Sequence, residues 1–545
     1  MSHHNRNSSI ETFDTDPRQS FPLAEQEDWE TAAEKLLKKP VEEAGLTITT
    51  AEGIQLEPIY HPGKKTTTVV PVAGADWLIA QVLPESDSTS LNRALKHDLL
   101  RGQSCINLAL DPVTRWRGDP DADAICPVTG GVRLDNGKDW KQLLSGIDIK
   151  TPLYLQAYTA GLPLISFLLE HAAEKGADFT RLQGAVENDP LGELAISGTL
   201  PCTLDQSLNE MATVTTWAIK NAPGMRTIAV HSEMYHNAGG SAVTDLAYAL
   251  ATGVEYLRQM GKRGLQPMST APHILFSFAV GPNFFMEIAK LRAARLLWQQ
   301  ILQSCKCDTS AASPHLRAVT AEWNLTATEQ HVNILRLTTS SLAAILGGCD
   351  SLQTGFFNVA GNDDSGILAR RLARNTQLVL REEVNLGRVQ DPAAGSYLIE
   401  QLTTDLCAKS WQLFQEIEKR GGMTAALLDR FPQQKLRQLA EQKKDEIARG
   451  EYHLVGTTKH VNDAEERPPK KISQPDSFQK KKPLVTEPIA LPRPEEDHLD
   501  FCRQAVRDGA SLSQLADALQ VQGDRPVVEP LQPFREILAE LEAGQ

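Results

Sequence analysis

GPNFFMEIAKLRAARLLW, residues 281 to 298, is the stretch from which the rest of this sequence is best read. Its spacing predicts one helix, yet Phe284, Phe285, Met286, Ile288, Leu291, Leu296, Leu297 and Trp298 spread around the helical wheel instead of keeping to one face. A helix apolar all round must be covered all round. Glu287, Lys290, Arg292 and Arg295 lie among those residues and need partners once water is excluded, and Glu287 and Lys290 are spaced for a local pair at i,i+3. The stretch therefore reads as an enclosed helix of a large α/β domain or as a helix at an interface.

Outward from it, between about residue 66 and residue 400, short apolar runs alternate with amphipathic stretches. INLALDP (106–112) comes first. PLYLQAYTA (152–160) precedes LPLISFLLEHAAEKGAD, MRTIAVHS (225–232) precedes AVTDLAYALATGVEYLRQMG, and HILFSFAV (273–280) precedes the helix above. Strand and helix repeated over such a length predict a parallel α/β protein, and about 250 residues or more is the scale of an eight-fold barrel with insertions. The fold expected is a (β/α)8 TIM barrel over 66–400. An open doubly wound sheet is the weaker choice, because no glycine-rich dinucleotide fingerprint follows the first strand.

Residues 1–65 read as a polar tip, a short helix in WETAAEKLLKK and an extended arm in EGIQLEPIYHP. Residues 401–545 read as a helical and linker region, with the Pro- and Lys-rich RPPKKISQPDSFQKKKP (467–483) as a solvated linker. A net charge of -14 gives no general attraction to nucleic acid or to anionic lipid, and an anionic ligand would need a locally basic mouth. The eight cysteines are scattered; only Cys305 and Cys307 are close, without the second ligand pair a structural zinc site requires. With no signal peptide or membrane-length apolar run, a cytoplasmic protein is expected.

Six stretches carry a resemblance: GQSCINLALDP (102–112), VENDP (186–190), NAGGSAVTDLAYALATGVEYLR (237–258), the helix at 281–298, WNLTATEQHVNILRLTTSSLAAILGGCDSLQT (323–354) and ARNTQLVLREE (373–383). In this order they resemble the methylmalonyl-CoA mutase family of adenosylcobalamin-dependent isomerases. The resemblance implies a barrel that threads the CoA pantetheine along its axis, and a separate C-terminal cobalamin domain over the barrel mouth. In that chemistry the cofactor supplies the radical, while the protein excludes water, positions the substrate and adds a few polar contacts.

Those contacts are absent position by position. A Tyr-His pair that in active members precedes the AG turn corresponds to Glu233 and Met234, and a thioether has no proton to donate to a thioester carbonyl. Tyr235 and His236 restore the two letters, but in a strand that shift keeps the facing and moves the groups by about 6 to 7 Å. The Arg that binds the substrate carboxylate corresponds to Ser197, and the Gln before it to Glu187. A second active-site Tyr corresponds to Val82, two CoA contacts to His273 and Leu275, and an acidic residue near the adenosyl group to Val359. The DxHxxG motif that supplies the lower cobalt ligand occurs nowhere in the sequence, which is expected to end before any cobalamin-binding domain.

The resemblance thus implies the small (beta) subunit of a methylmalonyl-CoA mutase heterodimer. Such a chain has no catalytic, cofactor or metal ligands of its own and stabilises a paralogous large (alpha) subunit that holds adenosylcobalamin and the acyl-CoA. Two alternatives stand beside it: a catalytic acyl-CoA mutase subunit that receives a cobalamin subunit in trans, and a degenerate barrel acting as an interaction or chaperone-like protein. The helix at 281–298, with Trp29, Leu36, Leu37, Leu56 and Tyr60 of the arm, is expected to form the contact with the partner.

Overall fold

Eight parallel strands pair in sequence order around one sheet in the computed structural model, which describes residues 26–60, 70, 76–126, 130–308, 313–358, 366–461 and 497–544. The polar tip, Val359 and the lysine run at 480–482 lie outside the described residues. The chain falls into two units, Met1–Thr66 and Thr67–Gln545.

In the first unit a helix spans Gln26–Leu37, and the described part of the stretch expected to be an extended arm supplies the second strand of a two-stranded antiparallel hairpin. Its strands are β1 (Ile48–Thr49) and β2 (Gln55–Leu56), with Ile48 opposite Leu56. No residue of the helix is buried, and Leu36 is 83% exposed.

In the second unit the strands are β3 (Leu78–Ile79), β4 (Ile106–Leu108), β5 (Leu153–Tyr158), β6 (Gly184–Asn188), β7 (Met225–His231), β8 (Ile274–Val280), β9 (His315–Thr320) and β10 (Ser351–Gln353). The sheet runs from β4 through β5 to β10 and ends on β3. A parallel bridge between Val82 and Asn107 then joins the β3 chain to β4, and the Asn107 side-chain amide donates to the Ala80 carbonyl at 2.9 Å. These contacts close a (β/α)8 barrel. Alternation along each strand sends Leu153, Leu155 and Ala157 of β5 outward into the main core and leaves Tyr154, Gln156 and Tyr158 facing the axis.

Helix Phe284–Ser304 is buried along most of its length, as its all-round apolar pattern requires. The chain itself supplies much of that cover, through helices Tyr397–Lys419, Val332–Leu346 and Ala242–Lys262. Every buried charge on it is matched. Lys290 pairs with Glu287 at 2.6 Å and Asp245 at 3.0 Å, Arg292 with Asp391 and Glu400 at 2.9 Å each, and Arg295 with Asp350 at 2.9 Å.

The region after residue 400 also belongs to this unit. Helices His498–Arg507 and Leu512–Leu519 place Leu499, Cys502, Leu512 and Leu515 in the same core as helix Gly161–Glu174. Helix Phe431–Ala448 crosses the AG turn. There Gly239, at φ +96°, leaves room where a Cβ would lie 2.9 Å from that of Ala440. No helix among the described residues is long and apolar enough to cross a membrane.

Candidate functional site at the barrel axis

Inward-facing positions decide whether a barrel is a packed core or a channel. At the N-terminal end Ala80, Cys105, Tyr154, Ala185, Ala229 and Leu275 pack together, with the Tyr154 hydroxyl reaching across to His315 Nε2 at 3.4 Å. Those last two residues stand on β5 and β9, four strands apart. One layer on, Glu187 of β6 and Arg317 of β9 form a close ion pair across the interior, both about 99% buried or more. Asn107 and Gln353 meet at 3.1 Å, and Gln156 donates to Asn107 at 3.2 Å.

Toward the C-terminal ends of the strands, His231 bridges two carboxylates. Its Nε2 lies 2.9 Å from Glu187 and its Nδ1 3.0 Å from Asp189. Asp189 also accepts from the backbone amides of Gly192 and His231 at 2.9 Å and from the Tyr256 hydroxyl at 2.5 Å, which caps helix Pro190–Ser197 and fixes the end of β7. Tyr158, held at φ +49°, stacks on His231 with ring centroids 4.5 Å apart, and the Arg115 guanidinium lies 3.4 Å over its other face. Arg115 is in turn paired with Glu193 at 2.5 Å.

Burial opposes charge on His231 and Glu187, and their partners overcome it. For His231, burial works against the imidazolium, but Glu233 and the hydrogen bonds of Asp189 and Glu187 raise it to about 10. For Glu187, burial is outweighed by Arg317 and His231, so its carboxyl is held below the usual range. Burial raises the Glu233 carboxyl, with His231 acting against the rise.

The positions singled out in the sequence fall in three places. Glu187, Ser197, Glu233 and Met234 gather at the C-terminal ends of β6 and β7. Ser197 donates to Glu193 at 2.5 Å, and Met234 packs its Cε against the start of helix Pro190–Ser197, 2.9 Å from where a Gly192 Cβ would stand. His273 and Leu275 lie at the opposite end, where His273 Nδ1 is held on the Met225 carbonyl at 2.6 Å and Leu275 lines the axis. Val82 takes part in the barrel closure.

Tyr235 and His236 do not lie on a strand, contrary to expectation, because residues Glu233–Asn237 form a short helix. Two residues of helix turn a side chain to the far side. Tyr235 accordingly packs edge-on against Tyr248 at 5.0 Å. The Trp323 indole donates to His236 Nε2 at 3.1 Å, which leaves Nδ1 to donate to Asp245 at 2.7 Å. Trp323 sits beneath a cover of Lys443, 4.0 Å over its ring, together with Tyr452 and Phe534, with ring centroids at 5.8 and 5.6 Å.

The residues that dominate the axis, His231, Arg317, Asp189, Tyr158 and Arg115, escaped the sequence reading. Strand parity could have found two of them: His231 shares its facing with Ala229, and Arg317 with His315.

A family model described as Methylmalonyl-CoA mutase matches residues 50–522. Methylmalonyl-CoA mutase of Rhizobium meliloti (strain 1021) is 32% identical over 455 residues, covering 79% of this chain and 63% of that protein. The mitochondrial methylmalonyl-CoA mutase of Bos taurus is 31% identical, covering 81% of this chain and 61% of its own length. The methylmalonyl-CoA mutase of Escherichia coli (strain K12) is 29% identical over 543 residues, covering 92% and 76%. The chain thus spans less than two thirds of the first two of these relatives.

Two outcomes follow from the axial charges. Arg317→Met takes the guanidinium from the buried Glu187 and leaves it His231 as its remaining charged partner; it is expected to cost about 3 to 5 kcal/mol in urea unfolding, whereas Glu187→Gln with Arg317→Met recovers most of it. A double variant no more stable than the single would reject the pairing. For His231, a folded value of about 10 against an ordinary 6.5 means that its stabilisation is complete below about pH 6.5 and is lost as pH rises through about 10. Thermal melts across that window should show an alkaline decline that His231→Gln lacks; parallel curves would contradict it.

Proposed function

The chain belongs to the methylmalonyl-CoA mutase family, and we propose that it is the small (beta) subunit of an adenosylcobalamin-dependent methylmalonyl-CoA mutase of the cytoplasm. In this reading the complex interconverts methylmalonyl-CoA and succinyl-CoA, and this barrel performs no isomerisation. It stabilises a paralogous large (alpha) subunit, which binds adenosylcobalamin and the acyl-CoA.

The observation that carries the proposal is the Glu187–Arg317 ion pair across the axis. A thioester threaded along a barrel needs an open path, and here carboxylate, guanidinium and imidazole meet in the middle of it. Substrate would have to displace a charge-matched buried cluster without replacing its contacts. The proposed degenerate positions agree: Ser197 is turned onto Glu193, where a carboxylate would meet a carboxylate, and Met234 offers no donor.

The strand ends also do not fit an adenosyl group. His236, the nearest imidazole in sequence to the missing donor, is committed to Asp245 and Trp323, and Phe534 is fully buried over that indole. No step of the reaction is therefore assigned to this chain.

The unburied helix Gln26–Leu37 supports a partner contact through the N-terminal segment, since an amphipathic helix of twelve residues with no buried residue gains little stability by itself. The purified chain is expected to show no mutase turnover with methylmalonyl-CoA and adenosylcobalamin, and measurable turnover would reject the proposal. Turnover that arises only on adding a separate cobalamin subunit would favour the in-trans enzyme instead. Deletion of residues 1 to 62 should reduce co-purification with the large subunit far more than it lowers the melting temperature of the barrel. Equal complex yield with and without that segment would rule out the contact.

A further inference from the structure

Cys305 and Cys307 stand apart from the other thiols. Cys105, Cys126, Cys202, Cys349 and Cys502 are buried and Cys407 is partly buried, whereas Cys305 is exposed and Cys307 partly exposed; all are free. The pair lies where helix Phe284–Ser304 ends, Cys305 being its cap, and Lys306 between them turns in the left-handed region at φ +57°. That turn brings the Cys307 thiol back over its neighbour, with Sγ 3.9 Å from the Cys305 carbonyl oxygen. Burial and the adjacent Cys305 hold the Cys307 thiol above its ordinary value.

Among the described residues no group of three or more His, Cys, Asp and Glu is placed to hold a metal ion. A tetrahedral zinc ion or a hard, oxygen-seeking cation would thus lack donors here. Two soft sulfurs suit an ion content with two ligands.

We propose that Cys305 and Cys307 form a two-thiol surface site for a soft, low-coordinate cation, of which monovalent copper is the representative. Each S–H gives its proton to solvent and each sulfur forms one bond to the ion; two protons leave, one cation enters, and no group is oxidised or reduced. Once the first sulfur is bound the second closes within the chain, an advantage of about 10²-fold or more over a single thiol.

The test is an anaerobic titration of the full chain with monovalent copper against the coloured competitor bicinchoninate. One equivalent should be withdrawn from the competitor. Cys305→Ser and Cys307→Ser should each weaken binding by about a hundredfold or more, with melting temperatures unchanged, and Cys407→Ser should bind as the parent does. Failure of the parent chain to compete, retention of binding by either of the first two variants, or loss of it in Cys407→Ser would overturn the site.

Discussion

A carboxylate and a guanidinium meeting across the centre of a barrel, as Glu187 and Arg317 do, set terms for everything around them. In a dry interior neither charge is tolerable alone, so each must be held in place by groups that are themselves fixed. His231 supplies the second contact to Glu187 and passes the constraint to Asp189, which in turn caps helix Pro190–Ser197 and takes the Tyr256 hydroxyl. One ion pair therefore links β6 and β9 to the end of β7, a helix start and a residue of helix Ala242–Lys262. Polar and charged side chains thus fill the barrel interior at this level.

The same logic governs helix Phe284–Ser304. Its lysine and two arginines would be destabilising inside the protein if any lacked a carboxylate, and each is met by one from a different segment. Arg292 reaches Asp391 and Glu400, beyond the last barrel strand, so the helices after residue 390 are held to the barrel by charge as well as by apolar contact.

How far the fold could be read from sequence depended on element length. The six- and seven-residue strands β5, β7 and β8 and the long helices after them carry enough periodicity to be seen. β3 and β10 comprise two and three residues and exist because neighbouring strands offer a ladder, a property no local pattern encodes. The need of residues 281 to 298 for cover was legible, but the identity of that cover was not, because helix Tyr397–Lys419 lies about a hundred positions away. At the site, the positions expected to differ from active members could be listed from the resemblance, whereas the residues that fill the axis could not, since Glu187–Arg317 is a pairing of positions 130 apart. Reading Tyr235 and His236 as strand failed for a local reason: β7 ends at His231 and a helical turn begins at Glu233.

The cover over Trp323 draws its parts from widely separated places: Lys443 from helix Phe431–Ala448, Tyr452 from the segment after it, and Phe534 from the last helix. Because all three rest on one indole, none can lift away without exposing apolar surface that the others share. Local opening at the C-terminal end of the barrel is then a single cooperative event, and amide protons in both helices should exchange with solvent as one block, distinct from those of the strands below.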